Sequence, residues 1–557
     1  MTTPNRTIVV IGGVAGGASA AARARRCNEA ATIILYEKDA YVSFANCGLP
    51  YYLGGEIADR AKLLVSPVER FKDRFNIDVH TRHEVLAIDR GAKTVTVVNR
   101  INGETLQQHF DKLILAPGAA PIRPELEGID AANVFTLRNL EDTDAIQDFM
   151  KGAGPGRAIV VGAGFIGLEM AEQLHRVGWS VDLVELSPQV LPPLDPEMAK
   201  PVQIALEQKG VRLHLGKGLK SFIPGHDRVQ GIVLDGGAAI EGDLVLLGMG
   251  VRPSTQLAAA AGLELGPMGG ICINEFLQTS DPDIYAVGDA VEYTHTVLGT
   301  KMRVPLAGPA NRAGRLAGEH AATGRSASMA PVAGTAIVRV FHQTAALTGL
   351  SIKGAARAGL EARSVTIAAG NHAGYYPGAS TILLKLVYAP GDGRILGAQA
   401  VGEAGVDKRI DVIATAIHFG GTVRQLAGVD LAYAPPFGSA KDPVHMAAFA
   451  ACNDLDDLSP LLPADADLTG LQILDVRMDE EVKRMRLPGA IALPVDGLRK
   501  HLDQLDPARP TVVLCHSGMR AHVAARLLKQ SGFEDVSVLS GGMLMRRYAV
   551  PESVIPG

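Results

Sequence analysis

The chain carries five cysteines, Cys27, Cys47, Cys272, Cys452 and Cys515, widely spaced and with no C-x-x-C pair. An odd, dispersed set argues against a disulfide framework and against a zinc site, and leaves one or two thiols free to react. Cys47 lies in Ser43-Phe44-Ala45-Asn46-Cys47-Gly48-Leu49-Pro50-Tyr51-Tyr52. With Tyr52 five residues on, no second thiol is near to close an internal disulfide. Such a cysteine stores oxidising equivalents as a mixed disulfide, a persulfide or a sulfenic acid. Cys515 opens Cys515-His516-Ser517-Gly518-Met519-Arg520, between the β-branched run Thr511–Leu514 and a helical stretch from about Ala521. A thiol at the start of a helix sits under backbone N–H groups and a positive helix end, which lower its pKa and cradle anionic sulfur. Cys27, Cys272 and Cys452 have no such context and read as packing.

Two Gly-rich turns must position cofactors near this chemistry. The run Thr7–Ile11 ends in Gly12-Gly13-Val14-Ala15-Gly16-Gly17, followed by an Ala/Arg-rich helix and a second strand closing on Glu37. Glycines there let the backbone approach a pyrophosphate at a helix N-terminus, and the acid at the end of the second strand binds a ribose. Val14 takes the middle glycine position, so the match is imperfect. The pattern returns complete as Gly162-x-Gly164-x-x-Gly167, with Glu185 at the acidic position. A glutamate there accepts both ribose hydroxyls of NADH and repels a 2′-phosphate. Leu186-Ser187-Pro188 supply no arginine, so NADH is expected, with NADPH as the alternative.

At 557 residues, several domains are required. The 54 basic and 59 acidic residues balance too evenly for a nucleic-acid or membrane-surface partner. The N-terminus enters a strand directly without signal-peptide features, no apolar run is long enough to span a bilayer, and a cytoplasmic protein is expected. Taken with Thr279–Asp289, a stretch that resembles an FAD-binding signature, these turns imply an α/β fold class: a two-dinucleotide, Rossmann-like flavoprotein with an α/β dimerisation domain and a C-terminal domain of its own. The boundaries expected are an FAD domain split over 1–150 and 245–330, an NADH domain at 151–244, a dimerisation domain at 331–452, an acidic Pro-containing linker at 453–467 and a terminal domain at 468–557.

Thr279-Ser280-Asp281-Pro282-Asp283-Ile284-Tyr285-Ala286-Val287-Gly288-Asp289 resembles the FAD signature whose aspartate meets the flavin's ribityl chain, and Leu115-Ala116-Pro117-Gly118-Ala119 resembles the A-T-G strand end of the same fold, with Pro117 replacing Thr. With the Cys47 segment, Pro305–Arg312, His372–Gly378 and Ala432–Phe437, the chain resembles the single-cysteine branch of the pyridine nucleotide-disulfide oxidoreductases. Within it, the likeness is to coenzyme A disulfide reductases and their rhodanese-fused persulfide and polysulfide reductase relatives. Leu474-Asp475-Val476-Arg477, the Cys515 loop and Ser540-Gly541-Gly542-Met543 resemble a rhodanese domain; cysteine phosphatases of related fold typically have a loop one residue longer.

The resemblance implies FAD, NADH and coenzyme A. FAD would meet Gly12, Val14, Ala15, Gly16, Glu37, Lys38, Ala116, Gly118, Asp289 and Ala307; NADH would meet Gly162, Gly164, Phe165, Ile166, Gly167, Glu185 and Gly250. Cys47 would be the flavin-proximal nucleophile of a shared-site homodimer. Tyr433 and Tyr375, or its neighbour Tyr376, would reach in from the partner. Ser19, Arg23, Arg26, Ser43, Asn46, Asn311 and Lys441 fall where relatives bind coenzyme A. Cys515 would carry a persulfide whose charge Arg520 favours. The expected activity is NADH-dependent reduction of CoA persulfide, polysulfide or other sulfane sulfur, or of CoA disulfide. An NADH oxidase or peroxidase cycling a sulfenic acid remains an alternative, as does a non-catalytic flavin redox sensor. The former typically carries a His where Ala15 stands here.

Overall fold

Short β-branched runs ending in glycine, each followed by an Ala- or Leu-rich helix, dictate parallel strands joined by crossover helices. A computed structural model of the chain describes residues 6–556 and shows this twice. The first parallel sheet runs Ile284–Ala286, Lys112–Leu115, Thr7–Ile11, Thr32–Glu37, Asp78–Thr81; the second runs Arg212–Leu215, Ser180–Glu185, Arg157–Val161, Leu244–Leu247, Val134–Phe135. Each has a three-stranded antiparallel meander beside it in sequence, His83–His109 and Leu219–Glu241. In each sheet the first glycine-loop strand is buried apart from its first residue, as a doubly covered parallel sheet requires.

Both glycine turns are closed by the same steric device. A Cβ on Gly17 would overlap the carbonyl oxygen of Gly12, and one on Gly167 the carbonyl oxygen of Gly162, so both helices press onto their strands. The helices Ala15–Cys27 and Ala307–Thr323 approach backbone to backbone as well. A Cβ on Gly314 would strike the Gly16 carbonyl, and one on Gly318 the Ala20 carbonyl.

The chain divides into two compact units, one reaching Pro188 and resuming at Gly210–Gly334, the other comprising Gln189–Lys209 and Thr335 onward. The expected NADH-domain limits of 151–244 therefore need correction. Leu244–Leu247 pairs in parallel with Ala158–Val161 and so continues that sheet, and Val134–Phe135 pairs on its far side. The helix Pro196–Gln208 belongs to the second unit, where it packs against the strands Gln343–Gly349 and Ile395–Gly402.

The second unit holds a five-stranded antiparallel sheet, in the order Ala336–Val340, Gln343–Gly349, Ile395–Gly402, Thr381–Tyr388, Arg363–Gly370, and a five-stranded parallel sheet of the C-terminal residues. Residues 453–467, expected as a linker, are built into both. The helix Pro443–Leu455 runs on past 452, and Leu461–Leu462 pairs with Val538–Leu539. Asp454 is buried, accepting bonds from Tyr388 Oη at 2.8 Å, Leu461 N at 2.8 Å and Arg363 Nη1 at 3.2 Å. An acidic, Pro-containing run reads as solvated spacer, but this carboxylate is a joint.

Lys385 anchors Pro196–Gln208. Its ammonium is buried between Asp195, at 2.8 Å, and Glu197. Burial alone would raise the Asp195 pKa, but the Lys385 charge, then its hydrogen bond and that of Gln399, outweigh it and hold the carboxyl below the usual range. A carboxyl so depressed contributes stability above the ordinary aspartate range, lost as the pH falls through its folded-state pKa. We predict that Lys385→Met, which strands two carboxylates, lowers the unfolding free energy by about 3–5 kcal/mol in denaturant titration. An unchanged midpoint would remove Lys385 from this role.

Candidate active sites

In the first unit the two dinucleotide turns are built alike. Glu37 accepts the N–H of Gly13 at 2.7 Å and of Asp39 at 3.0 Å; Glu185 accepts the N–H of Ala163 at 2.8 Å and of Ser187 at 2.8 Å. Each carboxylate is thus pinned beneath its glycine turn and keeps lone pairs for ribose hydroxyls. Burial pushes the Glu37 carboxyl up, against the two amide donors. A Cβ on Gly164 would meet nothing within 4 Å, so the second turn faces open space. Val14 precedes the first helix, which Ala15 starts; Phe165 and the exposed Ile166 start the second, and Ala307 the helix to Thr323. Ala116 continues its strand by donating to the Ile11 carbonyl. Gly118 and Gly250 sit at positive φ, Lys38 is exposed, and Asp289 lies in a 3₁₀ turn. This arrangement, carboxylates beneath glycine turns with one open cradle, fits two dinucleotides.

Cys47 stands in a 3₁₀ turn, Asn46–Gly48, leading into the short helix Leu49–Leu53. Ser43, four residues before it, is held in the left-handed region at φ 48°, its N–H donated to the Gly13 carbonyl at 2.7 Å. The thiol loop is thereby tied to the first dinucleotide turn. Asn46 Oδ1 is buried without a hydrogen-bond partner, an expense that a ligand donor would remove. Cys47 is exposed, yet the protein behind it desolvates the thiol and raises its pKa; Glu169 and Asp289 add to this, and Arg138 opposes it. Arg138 reaches Asp289 at 3.4 Å, and Tyr51 donates its hydroxyl to Glu169 at 2.9 Å. Tyr52 bonds Gln147 at 2.8 Å. Arg138 and Glu169 were not singled out from the sequence. An arginine before a helix cap and a glutamate inside a helix both read as solvated charges.

Of the residues expected to meet coenzyme A, Ser19 donates to Asn311 Oδ1 at 2.7 Å, bringing two of them together. Arg23 is spent on Glu319, with contacts of 2.6 and 3.0 Å, and Arg26 lies over the Phe75 ring. Glu319 gave no signal in sequence. In the second unit Lys441 is exposed, and the hydroxyls of exposed Tyr375 and Tyr433 meet at 3.1 Å, whereas Tyr376 packs edge-on to His372.

Also in the second unit, Cys515 is buried and accepts the Gly518 N–H at 3.1 Å, with Gly518 at φ 113°. Its helix begins at Met519, two residues earlier than the sequence suggests. Asp475 and Arg477 form a buried bidentate pair, with Arg477 also reaching the Met485 carbonyl at 2.7 Å. Arg520 adjoins Cys515 and is bonded to Glu481. A cavity of about 420 Å³ lies beside the loop, walled by His516, Ser517, Arg547 and Tyr548 and, opposite, by Gly370 and Thr381.

Residues 6–314 match the family model for pyridine nucleotide-disulphide oxidoreductases, 335–443 that for their dimerisation domain, and 460–544 that for a rhodanese-like domain. A coenzyme A disulfide reductase of Staphylococcus haemolyticus is 35% identical over 80% of this chain and 99% of its own length. The solved structure of reduced Bacillus anthracis CoADR-RHD is 43% identical, covers 99% of each chain and superposes with a TM-score of 0.95. An NAD-dependent persulfide reductase from A. fulgidus is 40% identical over 97% of this chain and 99% of that one, with a TM-score of 0.91.

The charges around Cys47 make a testable claim. Removing a neighbouring anion favours the thiolate, so Glu169→Gln should move the pH midpoint of Cys47 alkylation downward. At a fixed pH below that midpoint, alkylation should quicken on the order of 2–5-fold. An unmoved profile in the folded variant would show that Glu169 does not act on the thiol.

Proposed function

The chain belongs to the pyridine nucleotide-disulphide oxidoreductase family, and from that premise we propose that it reduces sulfur held on Cys47 at the expense of NADH. The observation that carries this reading is the solitary thiol. Cys47 has Tyr52, hydrogen-bonded to Gln147, where a second cysteine would be needed to close an internal disulfide. The sulfur being reduced must then come from the substrate. Cys47 attacks the S–S bond of a CoA persulfide, polysulfide or CoA disulfide, forming a mixed disulfide or persulfide and expelling a thiolate or hydrosulfide. Two electrons and a proton then cleave the new S–S bond, restoring the Cys47 thiolate and releasing the second sulfur as a thiol or hydrosulfide.

FAD, held by the Glu37 turn, Asp289 and Gly118, would supply the two-electron relay between nicotinamide and sulfur. Glu185 and the absence of a basic residue in Leu186-Ser187-Pro188 favour NADH over NADPH. Ser19, Ser43, Asn46 and Asn311 are proposed to receive coenzyme A beside Cys47, the orphaned Asn46 oxygen supporting a ligand donor there. Arg23, already donating Nε and Nη2 to one oxygen of Glu319, would instead brace the helix that carries Ser19. The dimerisation-domain match supports a homodimer in which the Tyr375–Tyr433 pair completes the partner's site by donating to the departing thiolate. The rhodanese-like domain, with Cys515 carrying sulfane sulfur, favours a persulfide or polysulfide over plain CoA disulfide. Among the described residues no helix is long and apolar enough to cross a membrane, and no cluster of side chains could hold a metal.

Anaerobic NADH oxidation by the FAD-loaded protein should proceed with CoA persulfide or polysulfide and fall at least ~10³-fold in Cys47→Ser. NADH loss that requires oxygen, with no anaerobic turnover on any sulfur acceptor, would move the function to an oxidase.

A further inference from the structure

The Cys515 loop contains one interaction that sulfur carriage alone does not call for. Arg520, the cation adjoining the Cys515 sulfur, is bidentate to Glu481, with Nη1 at 2.6 Å from Oε2 and Nη2 at 2.8 Å from Oε1. Glu481 is itself fixed, because it accepts the N–H of Met478 at 3.1 Å in a capping box on the helix Asp479–Arg484. That helix hangs from the buried pair Asp475–Arg477. Of the other arginines by the loop, Arg477 donates to Asp475 and the Met485 carbonyl and Arg547 to the Tyr548 hydroxyl, whereas Arg520 interacts with the Cys515 sulfur.

We propose that Glu481 is a positioning residue for the sulfur chemistry of Cys515. It clamps the Arg520 guanidinium in one plane and offsets part of its charge. The inference rests on the reading of Cys515 as a sulfane-sulfur carrier. A guanidinium on a flexible stem samples many rotamers, whereas one held fork to fork by a carboxylate presents its remaining N–H groups in a single direction. With the clamp in place, the Cys515 thiolate meets an oriented but moderated cation. It can take up sulfur and also pass it on, because the cation does not trap the persulfide anion. The bond to Arg520 holds the Glu481 carboxyl down at about 2, so the clamp stays charged across the working pH range. The charged and titratable groups gathered around the loop are Asp475, Arg477, Glu481, His516, Arg520 and Arg547. Burial, with Arg547, Arg520 and Arg477, pushes the His516 imidazole down, against Glu481.

With thiosulfate as probe, the Cys515 thiolate attacks the outer sulfur, the S–S bond of thiosulfate breaks, sulfite leaves with the electron pair, and Cys515 is left as the persulfide anion. The experiment uses the full-length flavoprotein with Cys47→Ser to silence the other reactive thiol. Two quantities are read by peptide mass spectrometry: the rate at which Cys515 gains one sulfur from thiosulfate, and the pH midpoint of Cys515 alkylation by iodoacetamide. Glu481→Gln should slow sulfur uptake roughly 10- to 100-fold. It should also move the alkylation midpoint to lower pH, because the moderating anion is gone. Glu481→Asp, which keeps the charge, should hold the midpoint and recover most of the rate. Wild-type rate and midpoint in the Gln variant would overturn the proposal. Equal loss in the Gln and Asp variants with an unmoved midpoint would do the same, since that marks mere structural damage. If Cys515 gains no sulfur even with Glu481 intact, the carrier reading fails first and the proposal with it.

Discussion

The backbone-to-backbone approach of the helices Ala15–Cys27 and Ala307–Thr323 is the constraint on which much of the first unit depends. Gly314 and Gly318 lie where any Cβ would strike the carbonyls of Gly16 and Ala20. At that separation Ser19 reaches Asn311, and Arg23 reaches Glu319. The first helix also begins in the glycine turn whose Gly13 carbonyl takes the Ser43 N–H. A small-residue stripe thereby sets the spacing of two helices, the first of which starts from the dinucleotide turn that the Cys47 loop is tied to. Wider packing would break the Ser19–Asn311 and Arg23–Glu319 pairs, which bridge the helices at 2.7 and 2.6 Å.

Electrostatics then assigns different work to the two thiols. Cys47 sits where desolvation, Glu169 and Asp289 raise its pKa, against Arg138 and a backbone hydrogen bond. Its reactivity therefore depends on what binds beside it. Cys515 is buried, accepts the Gly518 N–H and lies beside the Arg520 guanidinium. Burial and nearby carboxylates hold the Cys47 thiol against ionisation, whereas Cys515 accepts a backbone N–H and adjoins the clamped Arg520. That contrast suits a reductase centre and a carrier centre within one chain.

Much of this was legible from residues alone. The two glycine turns, their acids and the Cys515 loop are local patterns, because strand, turn and helix follow one another within some thirty residues. The structure places Glu37 and Glu185 beneath those turns as their spacing requires. What escaped was non-local. Arg138, Glu169, Glu319 and Glu481 are charged residues that look solvated until a partner far along the chain, such as Tyr51 or Arg520, folds onto them. Asp454 misled for the same reason: among acidic neighbours it reads as spacer, and only Tyr388 and Leu461 reveal it as buried. The boundary at 244 failed because a strand's sheet is set by pairing with Ala158–Val161, which no local signal records.

The central claim is that Cys47 carries substrate sulfur, and its most direct test is the chemical state of that residue during turnover. Protein cycling NADH against CoA persulfide, acid-quenched in the presence of a sulfenic-acid trap, can be read by mass spectrometry of the Cys47 peptide. The account predicts Cys47 bearing a persulfide or a CoA mixed disulfide and no trapped sulfenic acid. A Cys47 found only as the trapped sulfenic acid, formed only when oxygen or peroxide is present, would contradict it.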